Sequence, residues 1–205
     1  MAAPLARPTI RHVAADLADR GVSVAPGLVR ADEVVALRRA IERADAADGL
    51  RPARIGSAGS AIERSDIRGD RIAWIDGATA RGAVRRYLER IERLRLAINR
   101  RTMAGLFEWE GHFAIYPPGA GYARHRDRFR DDAHRVVSTI LYLNPDWRAE
   151  HGGALRIWPE GTIDPVDVAP RAGTFVAFWS ADLEHAVQPT TVDRYTITGW
   201  FRVRG

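Results

Sequence analysis

The 205 residues predict an α+β fold, with helices in the first half and strands in the second. Three observations carry that expectation. Before residue 100, apolar side chains recur at i+3 and i+4 in three separate stretches, the spacing of one helix face. After Arg101 the pattern changes to short apolar or alternating runs bounded by turn residues, as in strands. No repeat or linker divides the chain, which is long enough to bury one sizeable core. A single domain over 1–205 is therefore expected, with 1–110 as helical support and 111–205 as a sheet sandwich or barrel.

In order, residues 1–7 read as a loose tail. Residues 9–20 carry Ile10, Val13, Ala14, Leu17 and Ala18 at helical spacing, and Gly21 ends the helix. Val22-Ser23-Val24 is a short strand before the Pro26-Gly27 turn. Residues 31–48 form a second helix, with Val34, Leu37, Ile41 and Ala44 on one side, Asp32 as N-cap and Gly49 as its stop. From Leu50 to Asp70 the periodicity is lost, and Arg, Gly, Ser and Asp dominate. A loop of that length in a compact domain is functional or disordered. Residues 72–75 form a strand, and 82–99 a third helix with Val84, Tyr87, Ile91, Leu94 and Ile98 inward. Strands are then expected at 112–116, 136–143, 153–158, 173–179, 186–188 and 195–203. Asn144-Pro145-Asp146, His151-Gly152-Gly153 and Pro159-Glu160-Gly161 are the turns between them.

Composition closes several routes. The absence of Cys excludes disulfides, thiolate metal sites and a cysteine nucleophile. All 31 basic residues are Arg, so neither Schiff-base chemistry nor a P-loop lysine is available. A net charge of +5 suits an acidic partner, but an Arg-rich composition is the better account of it, and no nucleic-acid partner is expected. No apolar run approaches the ~20 residues of a membrane span, and the N-terminus lacks the apolar core of a secretory signal. A cytoplasmic protein is expected.

The chemistry gathers around residues 116–127, which end in His125-Arg126-Asp127. On an extended strand, residues i and i+2 face the same side, so this imidazole and carboxylate reach one metal ion. His185 supplies a third donor, and Arg194 opens a strand nine residues later. Two His and one carboxylate around a metal with open positions is the arrangement of non-haem Fe(II) oxygenases. The same donors also suit zinc and hydrolysis, although no general base stands beside them. Arg194 reads as a carboxylate anchor, because a guanidinium pairs bidentately with one. A surface salt bridge to Asp193 or Glu184 is the plainer alternative. A hairpin over 189–193 is expected to put His185 and Arg194 on neighbouring antiparallel strands. By alternation Thr196, Thr198 and Trp200 share the face of Arg194, and Ile140 shares that of Tyr142. Tyr116 and Tyr142 bring hydroxyls to the pocket, although core packing explains each when taken alone. Arg135 suits either a substrate at the mouth or plain solvent exposure. His12, His112, His134 and His151 have no partner spacing and read as structural or exposed.

Together with further stretches, these residues resemble the Fe(II)- and 2-oxoglutarate-dependent dioxygenases. Within them they are similar to the oxygen-sensing prolyl hydroxylases of the hypoxia-inducible-factor type and their bacterial relatives. The matching stretches are 65–75, 116–127, 140–147, 152–161, 178–189 and 194–201. Arg68-Gly69-Asp70-Arg71-Ile72-Ala73-Trp74-Ile75 is the most discriminating, since the triad recurs across the superfamily. The resemblance implies a double-stranded β-helix of jelly-roll type supported by N-terminal helices. It implies Fe(II) on His125, Asp127 and His185, and 2-oxoglutarate with its distal carboxylate on Arg194 and Tyr142. Tyr116, Ile140, Leu155 and Thr198 would line that pocket, with Trp200, Arg135 and Arg68 near the substrate and residues 50–70 as a covering loop.

The implied reaction is peptidyl-proline 4-hydroxylation, consuming O2, yielding succinate and CO2, and supported by ascorbate. A monomer acting on a protein, by analogy a translation factor, follows. The turn before His125 and the segment before His185 are each one residue shorter than in the animal enzymes. The Gly/Ser/Arg-rich loop does not carry their substrate choice over. A free amino acid or other small-molecule substrate, and iron and 2-oxoglutarate sensing without turnover, are the alternatives.

Overall fold

A computed structural model describes residues 8–55, 62–64, 66–128, 134–159, 161 and 164–204. The expected tail, residues 56–61 and 65 of the expected covering loop, and Glu160 of one expected turn lie outside the described residues. Helix α1 (Ile10–Arg20) begins at Thr9, whose hydroxyl accepts the His12 backbone N–H while the His12 ring accepts that of Thr9. Two orphan donors of the first turn are so satisfied. The helix ends at Gly21, φ 73°, a left-handed turn that only glycine adopts freely. Strand β1 (Val22–Ala25) follows, then α2 (Ala31–Ala46). Arg30, not Asp32, occupies the N-cap of α2. Asp32 and Glu33 stand inside the first turn, where their charge complements the helix dipole.

The segment expected to be irregular holds three strand pieces, β2 (Arg51–Pro52), β3 (Arg54–Ile55) and β4 (Ile62–Glu63). β3 and β4 pair as a ribbon, and β2 pairs with β5 (Arg71–Trp74). Two-residue strands carry no periodicity to read. Helix α3 (Gly82–Thr102) precedes β6 (Glu108–Tyr116), β7 (Tyr122–His125), β8 (Arg135–Tyr142), β9 (Leu155–Trp158) and β10 (Val166–Val168). β11 (Phe175–Trp179), β12 (Glu184–Val187) and β13 (Arg194–Arg202) complete the chain.

Apart from the β3–β4 ribbon, these strands form two antiparallel sheets, as expected of a double-stranded β-helix. The seven-stranded sheet has the order β1-β11-β8-β13-β6-β5-β2, and the four-stranded sheet β10-β9-β12-β7. Three strands of the larger sheet, β1, β2 and β5, come from the first half of the chain. Alternation sorts each central strand into two faces. Val137 and Leu141 of β8, Phe175 and Ala177 of β11, and Ile197 and Phe201 of β13 join Leu17, Leu37, Ile91, Leu94 and Ile98 in a core under the helices. Burying each such aliphatic side chain contributes ~1.5–3 kcal/mol, so the helices brace the sheet from behind. Ile140 and Tyr142, Val176 and Phe178 turn the other way and pack with Leu155, Ile157 and Val168 of the smaller sheet.

One predicted adjacency is overturned. β12 lies in the four-stranded sheet and β13 in the seven-stranded one, so His185 and Arg194 are not on paired strands. Residues 188–193 cross between sheets instead of closing a hairpin. Their backbone is tied to other segments: the Thr190 N–H donates to Ala120, and the Thr191 N–H to His151. A metal donor and a carboxylate anchor therefore come from opposing sheets.

Candidate active site

His125 ends β7, and its register partner across the sheet is His185 of β12. Asp127 lies two residues beyond the end of β7, so strand alternation alone does not place its carboxylate. Ser138 of β8 does: its hydroxyl donates to Asp127 Oδ2 at 2.7 Å and pairs with the Ser180 hydroxyl at 2.8 Å. The donor atoms of His125, Asp127 and His185 all lie within 4.8 Å of one another. His125 Nε2 is 3.5 Å from Asp127 Oδ1, and His185 Nε2 is 3.7 Å from Oδ2. Each imidazole turns its Nδ1 to a backbone carbonyl, Ala123 at 2.7 Å and Leu183 at 3.2 Å. Donation there fixes the tautomer and leaves the Nε2 lone pair for a metal. Tyr122 stacks on His125 with centroids 3.6 Å apart, and Phe178 packs edge-on against His185.

The electrostatics match a cation site. Burial acts to raise the Asp127 carboxyl, but the two imidazoles and the Ser138 hydroxyl outweigh it and hold the group well below the usual carboxylate range. Burial pushes His185 down to about 4 against the opposing pull of Asp127. A carboxylate beside a His185 imidazole held neutral is the protonation state that divalent metals require.

Arg194 begins β13 and is 1 % exposed. Its Nε donates to the Gly153 carbonyl at 2.8 Å, while Nη2 is buried with no partner. No carboxylate among the described residues pairs with it, so the predicted alternative of a bridge to Asp193 or Glu184 does not hold. The guanidinium lies 5.0 Å from the Tyr116 ring centroid and 5.1 Å from that of Tyr142. The Tyr142 hydroxyl is likewise buried and unpartnered, and burial, opposed by the Arg194 charge, pushes it up to about 12. A buried cation and a buried O–H left without acceptors fit an incoming carboxylate.

A cleft joins these groups. His125, Asp127, His185, Arg194, Tyr116, Ile140, Leu155, Thr198, Trp200 and Arg68, all predicted from sequence, line it. Tyr142 packs in one cluster with Ile140 and Leu155. Arg68 is locked in a bidentate pair with Asp70 at 2.7 and 2.9 Å. Arg135 does not line the cleft: it bonds Glu110 at 2.8 Å and lies 3.7 Å over the Trp200 ring, so it reaches the site through that indole.

His112 corrects the sequence reading. It was expected to be structural or exposed, yet it lines the cleft at 1 % exposure with Nδ1 unpartnered. Burial, helped by the Arg68 charge, pushes it down to about 3. The signal was available: His112, Ala114 and Tyr116 share one face of β6 by alternation.

Residues 111–202 match the family model described as the 2OG-Fe(II) oxygenase superfamily. The mouse protein "Prolyl hydroxylase EGLN3" is 36% identical over 159 residues, 74% of this chain and 66% of that protein. The chain spans from 28% to 66% of the length of the curated relatives it matches. A Pseudomonas putida prolyl-4-hydroxylase structure is 44% identical with a TM-score of 0.86, covering 96% of this chain and 100% of that one. A Trichoplax adhaerens prolyl hydroxylase, solved with a peptide fragment of the hypoxia-inducible-factor oxygen degradation domain, is 26% identical with a TM-score of 0.84. That match covers 94% of this chain and 88% of the other. These structures share the two-sheet architecture described above. No helix among the described residues is long and apolar enough to cross a membrane.

Proposed function

The chain belongs to the 2OG-Fe(II) oxygenase superfamily, and from that premise we propose that it hydroxylates a prolyl residue of a protein, with succinate and CO2 as co-products. The family uses Fe(II), 2-oxoglutarate and O2. The observation that carries the proposal is the orphaned pair, Arg194 Nη2 and the Tyr142 hydroxyl, beside a ready three-donor site. In this reading His125, Asp127 and His185 hold the iron, and Arg194 with Tyr142 holds the distal carboxylate of 2-oxoglutarate. Tyr116, Ile140, Leu155 and Thr198 wall the cosubstrate from water, which strengthens the charged contacts.

Bound iron and 2-oxoglutarate supply the activation of O2 that puts one oxygen into a C–H bond and the other into succinate. The protein's part is orientation: the Ser138 bond sets the carboxylate, the two carbonyl-bonded Nδ1 groups set the imidazoles, and Arg194 sets the cosubstrate. Trp200, Arg68 and, through Trp200, Arg135 bound the space left for the target, with residues 66–70 beside it. Ring carbon 4 as the position attacked, ascorbate support, a monomeric state, a cytoplasmic setting and a translation factor as target belong to the same proposal.

The test is succinate formation by the purified protein with Fe(II), ascorbate and 2-oxoglutarate, with and without a cell lysate of the source organism. Lysate-stimulated turnover and a protein proline gaining one oxygen by mass spectrometry are expected. Turnover with no oxidised protein would replace the protein target by a small molecule, and no turnover despite bound iron would reject the enzyme reading.

A further inference from the structure

Among the described residues, four buried polar groups around the cleft lack partners, and they fall into two pairs. Arg194 and Tyr142 form the first. The second is His112 Nδ1 and Trp200 Nε1, on rings whose centroids are 5.5 Å apart. The cosubstrate does not account for this second pair.

Sheet register separates the two. One row across the larger sheet runs Ile140 of β8, Thr198 of β13, His112 of β6 and Trp74 of β5. Asp127 is tied to β8 through Ser138, so the metal donors stand on the β8 side of β13. His112 stands one strand beyond β13 on the opposite side, ~10 Å from β8 at ordinary strand spacing. Past it lies Trp74, 57% exposed, its ring edge-on to His112 at 5.1 Å. That flank, walled by Trp74, Trp200 and His112, opens to solvent at Trp74. Aromatic walls of this kind suit prolyl segments.

The chemistry of the pair is one-sided. His112 Nε2 is 3.5 Å from Arg68 Nη2, and a guanidinium has only donors to offer. Nε2 therefore presents its lone pair, and the proton sits on Nδ1. The indole Nε1 is also a donor only. Two donors in a water-poor site call for an oxygen acceptor, and leaving both unmet costs the free protein stability.

We infer that His112 and Trp200 form a subsite for a backbone carbonyl oxygen of the substrate, which orients the target residue toward the metal centre. The inference rests on the hydroxylase reading for its substrate class, but it can be tested apart from turnover. Arg68 sets the His112 tautomer and Asp70 fixes Arg68, so both are positioning residues.

The experiment uses the full chain with Zn(II) and 2-oxoglutarate, a pairing without turnover, and the peptide library acetyl-(Xaa)3-Pro-(Xaa)3-amide as probe. Nitrogen–proton NMR follows the Trp200 indole, assigned by its loss in Trp200→Phe, and the His112 ring. The indoles of Trp109, Trp147 and Trp179 are already bonded to Thr139, Gly152 and Leu17, so they serve as references. The His112 ring should show the Nδ1–H tautomer. Peptide should move the Trp200 and His112 N–H signals downfield while the references stay. For a peptide that the Fe(II) enzyme oxidises, His112→Leu should raise peptide KM about tenfold with a smaller change in kcat. His112→Asn, which returns a donor near Nδ1, should recover it to within about threefold of wild type. An Nε2–H tautomer, or unmoved signals, overturns the subsite. Moved signals with no peptide oxidised by the Fe(II) enzyme would instead reject the hydroxylase reading and keep the subsite.

Discussion

His125 and His185 stand directly opposite one another across the antiparallel β7–β12 pair, their ring centroids 4.3 Å apart. Sheet register alone thus sets two of the three metal donors. Asp127 has no strand of its own and depends on a hydroxyl from the other sheet. The two kinds of support predict different responses to mutation.

Ser138→Ala removes the hydroxyl on Asp127 Oδ2 and leaves the backbone pairing of β8 intact. Partners that orient a metal ligand are worth ~10–100-fold in metal affinity. Fe(II) or Mn(II) affinity, titrated anaerobically, should fall by that order with little change in far-UV dichroism. Unchanged affinity would mean that Asp127 is held by its own loop.

Arg194→Ala and Tyr142→Phe should part company in the free protein. Loss of a charge-assisted contact costs ~1.5–3 kcal/mol per bond, so Arg194→Ala should raise the 2-oxoglutarate requirement ~10–100-fold. Tyr142→Phe should raise it less, yet stabilise the protein without 2-oxoglutarate, because a buried O–H with no acceptor is removed. Melting curves with and without 2-oxoglutarate read both effects. A destabilised ligand-free Tyr142→Phe would show that the hydroxyl has a partner in solution.

Much of this site was legible in the sequence because its residues lie on long strands or carry rare spacing. Thr198 and Trp200 follow from Arg194 by alternation over a nine-residue strand, and Ile140 from Tyr142 over eight. What escaped depends on tertiary pairing. Nothing in residues 188–193 signals a change of sheet, since Pro-Thr-Thr-Val-Asp suits a hairpin equally well. β7 and β10 are too short for a period, and Asp127 draws its support from Ser138, eleven residues away on another sheet. His112 was missed for a different reason. A lone His without metal spacing looks bland until its strand-mates are considered.

His112 also predicts a pH effect. Burial first, and then the Arg68 charge, hold it neutral down to about 3, against an ordinary value of 6.5. Between these values the unfolded chain takes up a proton that the folded chain refuses, so stability falls as pH drops through the window. Near pH 4.5 the penalty is roughly 2–3 kcal/mol, and above 6.5 it vanishes. Asp127, depressed instead, adds stability above its ordinary 3.8 that is lost further down. That contribution is common to wild type and variant and cancels in their difference. Metal-free His112→Met should therefore gain on wild type by roughly 2–3 kcal/mol between pH 7 and pH 4.5 in urea melts. A constant gap would show that His112 takes up its proton in the folded state.

Gly153 links the backbone to the cosubstrate anchor. It sits at φ +64°, and an added Cβ would lie 3.1 Å from Arg194 Cδ and 3.0 Å from the Trp147 ring. Its carbonyl also accepts the Arg194 Nε–H. Gly153→Ala thus combines a strained backbone, ~1–3 kcal/mol, with pressure on the one bond that aims the guanidinium. Gly27 at φ +72° has nothing within 4 Å of its added Cβ, so Gly27→Ala carries the backbone strain alone. Both variants should lower the melting temperature, but only Gly153→Ala should weaken 2-oxoglutarate binding, by about tenfold, in calorimetric titrations with Mn(II). Equal 2-oxoglutarate affinity in the two would show that Arg194 is aimed by its tyrosine neighbours and not by the Gly153 carbonyl.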